Sequence, residues 1–244
     1  MKFELVERLP QESTREYICR LLRTNIVNLN LPPGTSLSEQ EIADFLNVSR
    51  TPVREAFIKL NQDNVVDIMP QKGTYVSLID PEHVAEAKFL RECVEKEVIK
   101  LACVSFPGEE SFKLQANLAL QELCIAEQSY VRWFELDEEM HGTIFAGCKK
   151  AHIWSVIQQM NIHYNRVRML NLAVGFDWPQ LVEQHKELVR AIREKNVALA
   201  AKVIHLHLNK VTVDLQQLQA DFGHYFKQVR QFPFQNGLSQ PPAP

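Results

Sequence analysis

Residues 37–78 read LSEQEIADFLNVSRTPVREAFIKLNQDNVVDIMPQKGTYVSL, and the fold turns on this stretch. Ser38-Glu39-Gln40-Glu41 is an S-x-x-E capping box, which predicts a short helix running through Leu46. Asn47-Val48 makes a tight turn, and Ser49 is expected to cap a second helix. Pro52 falls in the first turn of that helix, where a missing N–H costs nothing. Val53, Phe57 and Leu60 share one face, which turns Arg50, Thr51 and Arg54 outward. Val65–Met69 and Thr74–Leu78 are predicted to pair as a wing across Pro70-Gln71-Lys72-Gly73. Arginines on the first turns of a helix that follows a turn suit the major groove of double-stranded DNA. Arg50 and Arg54 lie four apart, and each guanidinium fork matches guanine O6 and N7. Thr51 suits a phosphate or a thymine methyl, and Gln40 and Ser49 suit phosphates. Lys72 and Gly73 let the wing tip approach the backbone closely. The alternative is that the arginines are solvated helix charges, with Arg54 bridging to Glu55 or Glu41.

Outward from this stretch the chain divides in two. Upstream, Thr14–Asn28 carries a helical apolar stripe and stops before Leu31-Pro32-Pro33-Gly34. Downstream, Asp80-Pro81 has the chemistry of a helix start, which puts a boundary at residue 79. Beyond it the sequence is strand-free and helix-periodic, with helices near 81–104, 108–127, 130–147, 150–172, 178–194 and 197–221. Joints fall at Ser105–Gly108, Gly147–Lys149, Gly175-Phe176-Asp177 and Lys195-Asn196. The expected architecture is mainly α: residues 1–79 as a winged helix-turn-helix with a small β-hairpin, and 80–222 as an all-helical bundle. Residues 223–244, ending Ser-Gln-Pro-Pro-Ala-Pro, form a tail expected to be partly disordered.

Bulk properties narrow the class. The 244 residues are 45% hydrophobic and 23% charged, as in soluble globular proteins, and are long enough for two ordinary cores. A net charge of −3 supplies no global attraction to a polyanion, so nucleic-acid contacts must be local and placed. No apolar run approaches the roughly 20 residues of a membrane span, and the start is not a signal peptide. Cys19, Cys93, Cys103, Cys124 and Cys148 are odd in number and widely spaced, which fits reduced thiols, mostly in the core, and a cytoplasmic location.

The bundle carries a second constellation. Asp137 and His141 lie at i and i+4, on one helix face. His185 falls on the apolar stripe of Leu181, Leu188 and Ile192, and His207 on that of Ala200, Val203 and Val211. His205 is turned about 200° from His207 around the helix, so His207 is the inward residue. One carboxylate and three inward imidazoles suit a divalent transition metal, and this ligand set accepts several first-row ions, zinc, nickel, manganese and iron among them. For any one histidine alone, a satisfied core residue is the simpler account. His83, His152, His163 and His224 lack an interior pattern and are assigned to surface or loops. Trp133, Trp154 and Trp178 fit packing or a cavity wall. Arg166 and Arg168, beside Asn165, are further candidates for binding an acid.

Taken together, these segments resemble a known family. Leu37–Ala43, Val48-Ser49-Arg50-Thr51-Pro52-Val53-Arg54-Glu55-Ala56 and Gly73-Thr74-Tyr75-Val76 resemble the winged helix of the GntR family of bacterial transcription regulators, over about residues 12–78. The resemblance implies DNA contacts at Arg50, Thr51, Arg54 and Gly73. Gln40 stands where some members carry a DNA-contacting arginine. Residues 81–218 are similar to the FCD ligand-binding domain of the FadR subfamily, which implies a metal held by Asp137, His141, His185 and His207. Arg91 matches an arginine that many members point into the cavity; its alternative is a surface pair with Glu95. The function implied is a homodimeric regulator, more often a repressor, that binds a palindromic operator and responds to a small organic acid. Two other readings use the same residues: a metal-dependent enzyme of the bundle, for which no general base is well placed because Glu138 and Glu139 are expected on the wrong face, or a DNA-binding protein whose metal is purely structural.

Overall fold

Ser13 opens the first helix with a reciprocal cap: its hydroxyl accepts from the Glu16 N–H, and the Glu16 carboxylate accepts from the Ser13 N–H. The computed structural model describes residues 4–175 and 178–228. Helix α1 (Thr14–Val27) buries Ile18, Leu21, Leu22 and Ile26. Strand β1 (Ser36–Leu37) precedes α2 (Glu39–Leu46), capped by the Ser38 hydroxyl on the Glu41 N–H. Asn47 adopts φ 56° and ends α2, and the Val48 N–H reaches back to the Ala43 carbonyl. That left-handed turn swings α3 (Arg50–Gln62) across α2. Ser49 has the extended backbone of a cap, yet its side chain makes no cap hydrogen bond, contrary to expectation.

The wing is β2 (Val66–Met69) and β3 (Gly73–Val76), antiparallel, with Met69 opposite Gly73. A third strand was not anticipated: β1 pairs with β3, giving the sheet order β1-β3-β2. Two residues are too short to announce themselves by alternation. Ile18, Leu22, Ile26, Leu37, Ile42, Val53, Phe57, Leu60 and Val76 close one core among these elements.

The bundle begins at α4 (Pro81–Val104), with Asp80 accepting from the Glu82 N–H and Pro81 in the first turn. Then come α5 (Gly108–Ala126), α6 (Tyr130–Gly147), α7 (Ala151–Met160), α8 (Ile162–Ala173), α9 (Trp178–Arg193) and α10 (Val197–Asp221). The helix expected over 150–172 is therefore two, broken at Asn161, a buried residue with no glycine or proline beside it to signal the break. The joint expected at Gly175-Phe176-Asp177 lies partly outside the described residues, as does the part of the tail beyond residue 228. All five cysteines are free; Cys103 and Cys124 are buried and Cys93 is exposed.

Helix α8 is buried on nearly every side, as a central helix must be. Its first residue, Ile162, joins the winged-helix core. The His163 ring Nδ1 accepts from the Asp80 N–H at 3.1 Å. The surface or loop assignment of His163 is thus corrected: it is 1% exposed, and burial pushes its pKa down to about 3. Arg166 donates to the Ser77 carbonyl at 2.6 Å and to its hydroxyl at 3.2 Å. The start of the tail is held in place up to Lys227. Ile79 donates to the Tyr225 carbonyl and accepts from the Lys227 N–H, Phe226 is buried, and the Lys227 ammonium pairs with Asp80 at 3.2 Å. These contacts tie both ends of the bundle sequence to the seam at residue 79.

Candidate metal centre and nucleic-acid interface

Asp137 and His141 project from one face of α6, His185 from α9 and His207 from α10, and all four are buried. Their ligand atoms lie within 4.8 Å of one another. His185 Nε2 is 3.3 Å from Asp137 Oδ1, His141 Nε2 is 3.3 Å from His207 Nε2, and His207 Nε2 is 3.8 Å from Asp137 Oδ1. Two donors held about 2.0–2.1 Å from one tetrahedral ion sit about 3.3 Å apart, so the spacing fits. The opposite face of each ring is also spoken for. His141 Nδ1 meets Glu95 Oε2 at 2.6 Å, His185 Nδ1 meets Gln121 Oε1 at 2.7 Å, and His207 Nδ1 meets Gln184 Oε1 at 3.3 Å. An acceptor on Nδ1 fixes the proton there and leaves the Nε2 lone pair for a metal. His185 Nε2 and Asp137 Oδ1 have no hydrogen-bond partner, the condition of ligand atoms that face an ion.

The electrostatics agree. Burial, and for His207 the neighbouring His185 as well, keeps the His185 and His207 rings below the usual histidine range and hence neutral. Burial alone would raise Asp137, but the Arg168 guanidinium, with the His185 and His141 rings close by, outweighs it and holds the carboxyl well below its usual range. Glu95 is likewise buried, yet Arg91 and His141 bring it down to about 2. The walls are aromatic: Trp133 stacks on His185 at 5.8 Å, and Trp154 on His141 at 6.0 Å. Trp154 comes this close because Gly142 faces it; a Cβ there would meet Trp154 Nε1 at 3.0 Å.

Two arginines border the cluster. Arg91 on α4 is 1% exposed and donates from Nε to Glu95 at 2.5 Å. The pair with Glu95 exists, but in the interior rather than on the surface. The Arg91 guanidinium lies 5.4 Å from the Trp154 ring and 5.2 Å from the Tyr164 ring. Arg168 on α8 donates to Asp137 and to Glu138 and packs 4.8 Å from the Phe134 ring. Arg166, expected in the cavity, points instead to Ser77 at the seam, and burial lowers its pKa to about 9. The two residues lie about 200° apart around a helix buried on nearly every side, so burial periodicity alone does not show which of them faces the cavity. Glu138, expected to face away, carries Oε1 to Arg168 and to within 3.6 Å of Arg91 Nη1. Gln121, Gln184 and Glu95 were missed as supports. Glu95 was findable, because Val84, Ala87, Arg91, Glu95 and Val98 share the buried face of α4.

On the winged helix, Arg50, Thr51 and Arg54 are exposed on the first turns of α3. Both arginines meet one carboxylate, Glu39 at the start of α2: Arg50 Nη2 at 2.9 Å, and Arg54 through Nε and Nη2 at 3.1 Å. The partner is neither Glu41 nor Glu55. The hydrogen bond from Arg54, joined by that from Arg50, outweighs burial and holds Glu39 below the usual carboxylate range. Gln40 is exposed and bonds to Asp44 at 2.7 Å. Ser49 is exposed one residue before Arg50. At the wing tip Lys72 and Gly73 are exposed, Gly73 adopts φ 116°, and the Tyr75 hydroxyl donates to the Lys72 carbonyl at 2.9 Å. The positive φ favours glycine at this position.

Known proteins share both halves. Residues 14–76 match the family described as bacterial regulatory proteins, gntR family, and residues 86–210 match the FCD domain. The HTH-type transcriptional repressor RspR of Escherichia coli K12 is 30% identical over 221 residues, covering 90% of this chain and 96% of the relative. An HTH-type transcriptional regulator in an unstable DNA locus of Streptomyces ambofaciens is 34% identical over 211 residues, covering 85% of this chain and 87% of its own. The solved structure of E. coli McbR/YncC superposes with a TM-score of 0.74 at 18% identity, covering 85% of this chain and 99% of that one, which shows a shared fold. No helix among the described residues is long and apolar enough to cross a membrane. The chain belongs to the GntR family of bacterial transcription regulators, with an FCD domain behind its DNA-binding helix-turn-helix, and is not an enzyme.

Proposed function

We propose that this GntR-family regulator is a homodimeric repressor that holds a divalent metal, zinc foremost, at Asp137, His141, His185 and His207 and releases a palindromic operator when a small carboxylic acid enters its bundle. The observation that carries the reading is the set of three imidazoles, each fixed through Nδ1, whose Nε2 atoms converge on one carboxylate. A helix-turn-helix reads one half-site, so two copies on a palindrome are the natural arrangement. Arg50 and Arg54 read base edges, Gln40, Ser49 and Thr51 hold the backbone, and Lys72 and Gly73 bring the wing onto phosphates. Residues 1–79 are the reader, and 80–222 the sensor, with 223–227 extending it onto the seam.

A divalent ion with three neutral imidazoles and one carboxylate keeps a net charge of about +1, which supplies an electrophilic seat for an acid. The chain adds Arg91 and Arg168, whose planar guanidinium groups are held by aromatic faces and suit a carboxylate better than an ammonium would. An effector shifts the protein between states only by binding one of them better. Helix α8 carries Arg168 at the cavity and Ile162, His163 and Arg166 at the seam, so a change at one end of a short helix is felt at the other.

The test is DNA binding by the zinc-loaded chain to a duplex selected from a random pool, with and without a panel of small mono-, di- and hydroxycarboxylic acids. At least one acid should weaken binding by about 5- to 150-fold. The same acid should have no effect on His185→Ala. If metal raises the melting temperature but no acid changes DNA affinity, the metal is structural and the sensor reading fails.

A further inference from the structure

The geometry points to Glu138 as a built-in stand-in for the effector's carboxylate: it sits on the Arg168–Arg91 anion seat and must leave before an acid can bind. The inference rests on the acid-sensor reading and adds to it the residue that competes with the acid.

Three carboxylates face the two arginines, and two of them are also tied to the histidine cluster. Glu95 spends one oxygen on Arg91 Nε at 2.5 Å and the other on His141 Nδ1 at 2.6 Å. Asp137 belongs to the histidine cluster and is 1% exposed. Glu138, one residue further along α6, is rotated by about 100° to the rim of the cavity. Its side chain is 14% exposed, so it alone of the three has a route to water. It takes one hydrogen bond from Arg168 Nη1, and Arg91 Nη1 stands 3.6 Å away, beyond good hydrogen-bond reach.

The seat is therefore imperfectly filled. Arg91 Nη2 is buried and has no hydrogen-bond partner, a costly condition for a charged donor. A free acid, unconstrained by the backbone of α6, can satisfy Arg91 and Arg168 together. Glu138 also has somewhere to go. It lines a surface groove of about 550 Å³ between α6 and α7, together with Phe134, Glu135, Glu139, Trp154 and Gln158. Glu135 and Glu139 make that groove unfavourable for a third carboxylate, which presses Glu138 back onto the arginines. The seat is then vacant only part of the time, and apparent affinity falls by that fraction.

The charge count gives the same competition. Arg91 and Arg168 against Glu95, Asp137 and Glu138 leave a deficit of one positive charge; a divalent ion turns this into an excess of one. With Glu138 withdrawn into the groove and screened, the seat gains about one further unit of attraction for an anion. Glu138 thus lowers the affinity for any small anion and sets the threshold that a well-fitting acid must exceed.

The experiment titrates the zinc-loaded full-length chain with acetate, succinate and citrate by calorimetry, for wild type, Glu138→Gln, Glu138→Ala and, as a rim control, Glu139→Gln. Zinc content and a cooperative melt confirm that each variant is folded, and the two Glu138 variants serve as each other's check. Both should bind at least one of the three acids about tenfold or more tighter than wild type. Glu139→Gln should stay within about threefold of wild type, as expected of a screened surface charge. Equal or weaker binding in both Glu138 variants overturns the stand-in while leaving the acid sensor in place. An equal gain in Glu139→Gln also overturns it, because rim repulsion then explains the effect. Failure of all four zinc-loaded proteins to bind any acid removes the acid-sensor reading itself, and the stand-in with it.

Discussion

The start of α3 and the heart of the bundle solve one problem in two media. In each, two arginines are held by the chain's own carboxylates. At α3, Glu39 serves both Arg50 and Arg54, whose side chains are 54% and 62% exposed. In the bundle, Glu95, Asp137 and Glu138 serve Arg91 and Arg168, which are 1% and 9% exposed. Exposed ion pairs of this kind contribute little and are screened by salt, so under the proposed reading Arg50 and Arg54 would exchange Glu39 for a phosphate or a guanine at small cost. Buried pairs behave otherwise: breaking one leaves an uncompensated charge out of water. The surface cluster leaves its arginines at the solvent, whereas the buried one holds them in the interior.

The sharpest way to break this comparison is to delete one arginine from each cluster. Without metal, Arg168→Met should destabilise the bundle by about 3–5 kcal/mol in urea unfolding, because Asp137 and Glu138 lose their cation. Zinc should recover much of that loss by supplying positive charge at Asp137. Arg54→Met should leave the unfolding midpoint nearly unchanged. Similar losses for both variants would remove the distinction.

Smaller effects sharpen the DNA side. Arg54→Ala should weaken binding to the selected duplex by about tenfold or more, and to random DNA far less, if it reads a base. Equal losses would make it a phosphate contact. Lys72→Ala should weaken both duplexes alike and reduce the salt slope by about one unit.

How much of this was legible in the chain follows from distance along it. The reader was legible because its signals are local: Ser38 with Glu41, Asn47 in the turn, and Pro52 in the first turn of α3 lie within fifteen residues. The four metal candidates were legible because His185 and His207 fall on apolar stripes and Asp137 and His141 share one helix face, and a helix converts spacing into direction. What was not legible depends on neighbours from other helices. Arg168 and Arg166 differ only in which partner faces them, Asp137 in one case and Ser77 in the other. Glu138 sits at the edge of the α6 stripe, where helical spacing alone does not decide between cavity and solvent. The ordered start of the tail rests on Lys227 meeting Asp80 across 147 residues, a contact no local pattern encodes. The break at Asn161 lacks the glycine or proline that marks most helix ends.

Sensing in the bundle, as proposed, begins with a metal at the histidine–aspartate cluster, and metal content tests this most directly. The chain, stripped with chelator and reconstituted separately with zinc, nickel, manganese and iron, is desalted and analysed by elemental mass spectrometry beside His185→Ala and His207→Ala. The wild type should retain close to one ion per chain for at least one metal, and both variants should lose most of that ion. A wild-type chain that retains no metal, or variants that retain as much as the wild type, would contradict the proposed metal site.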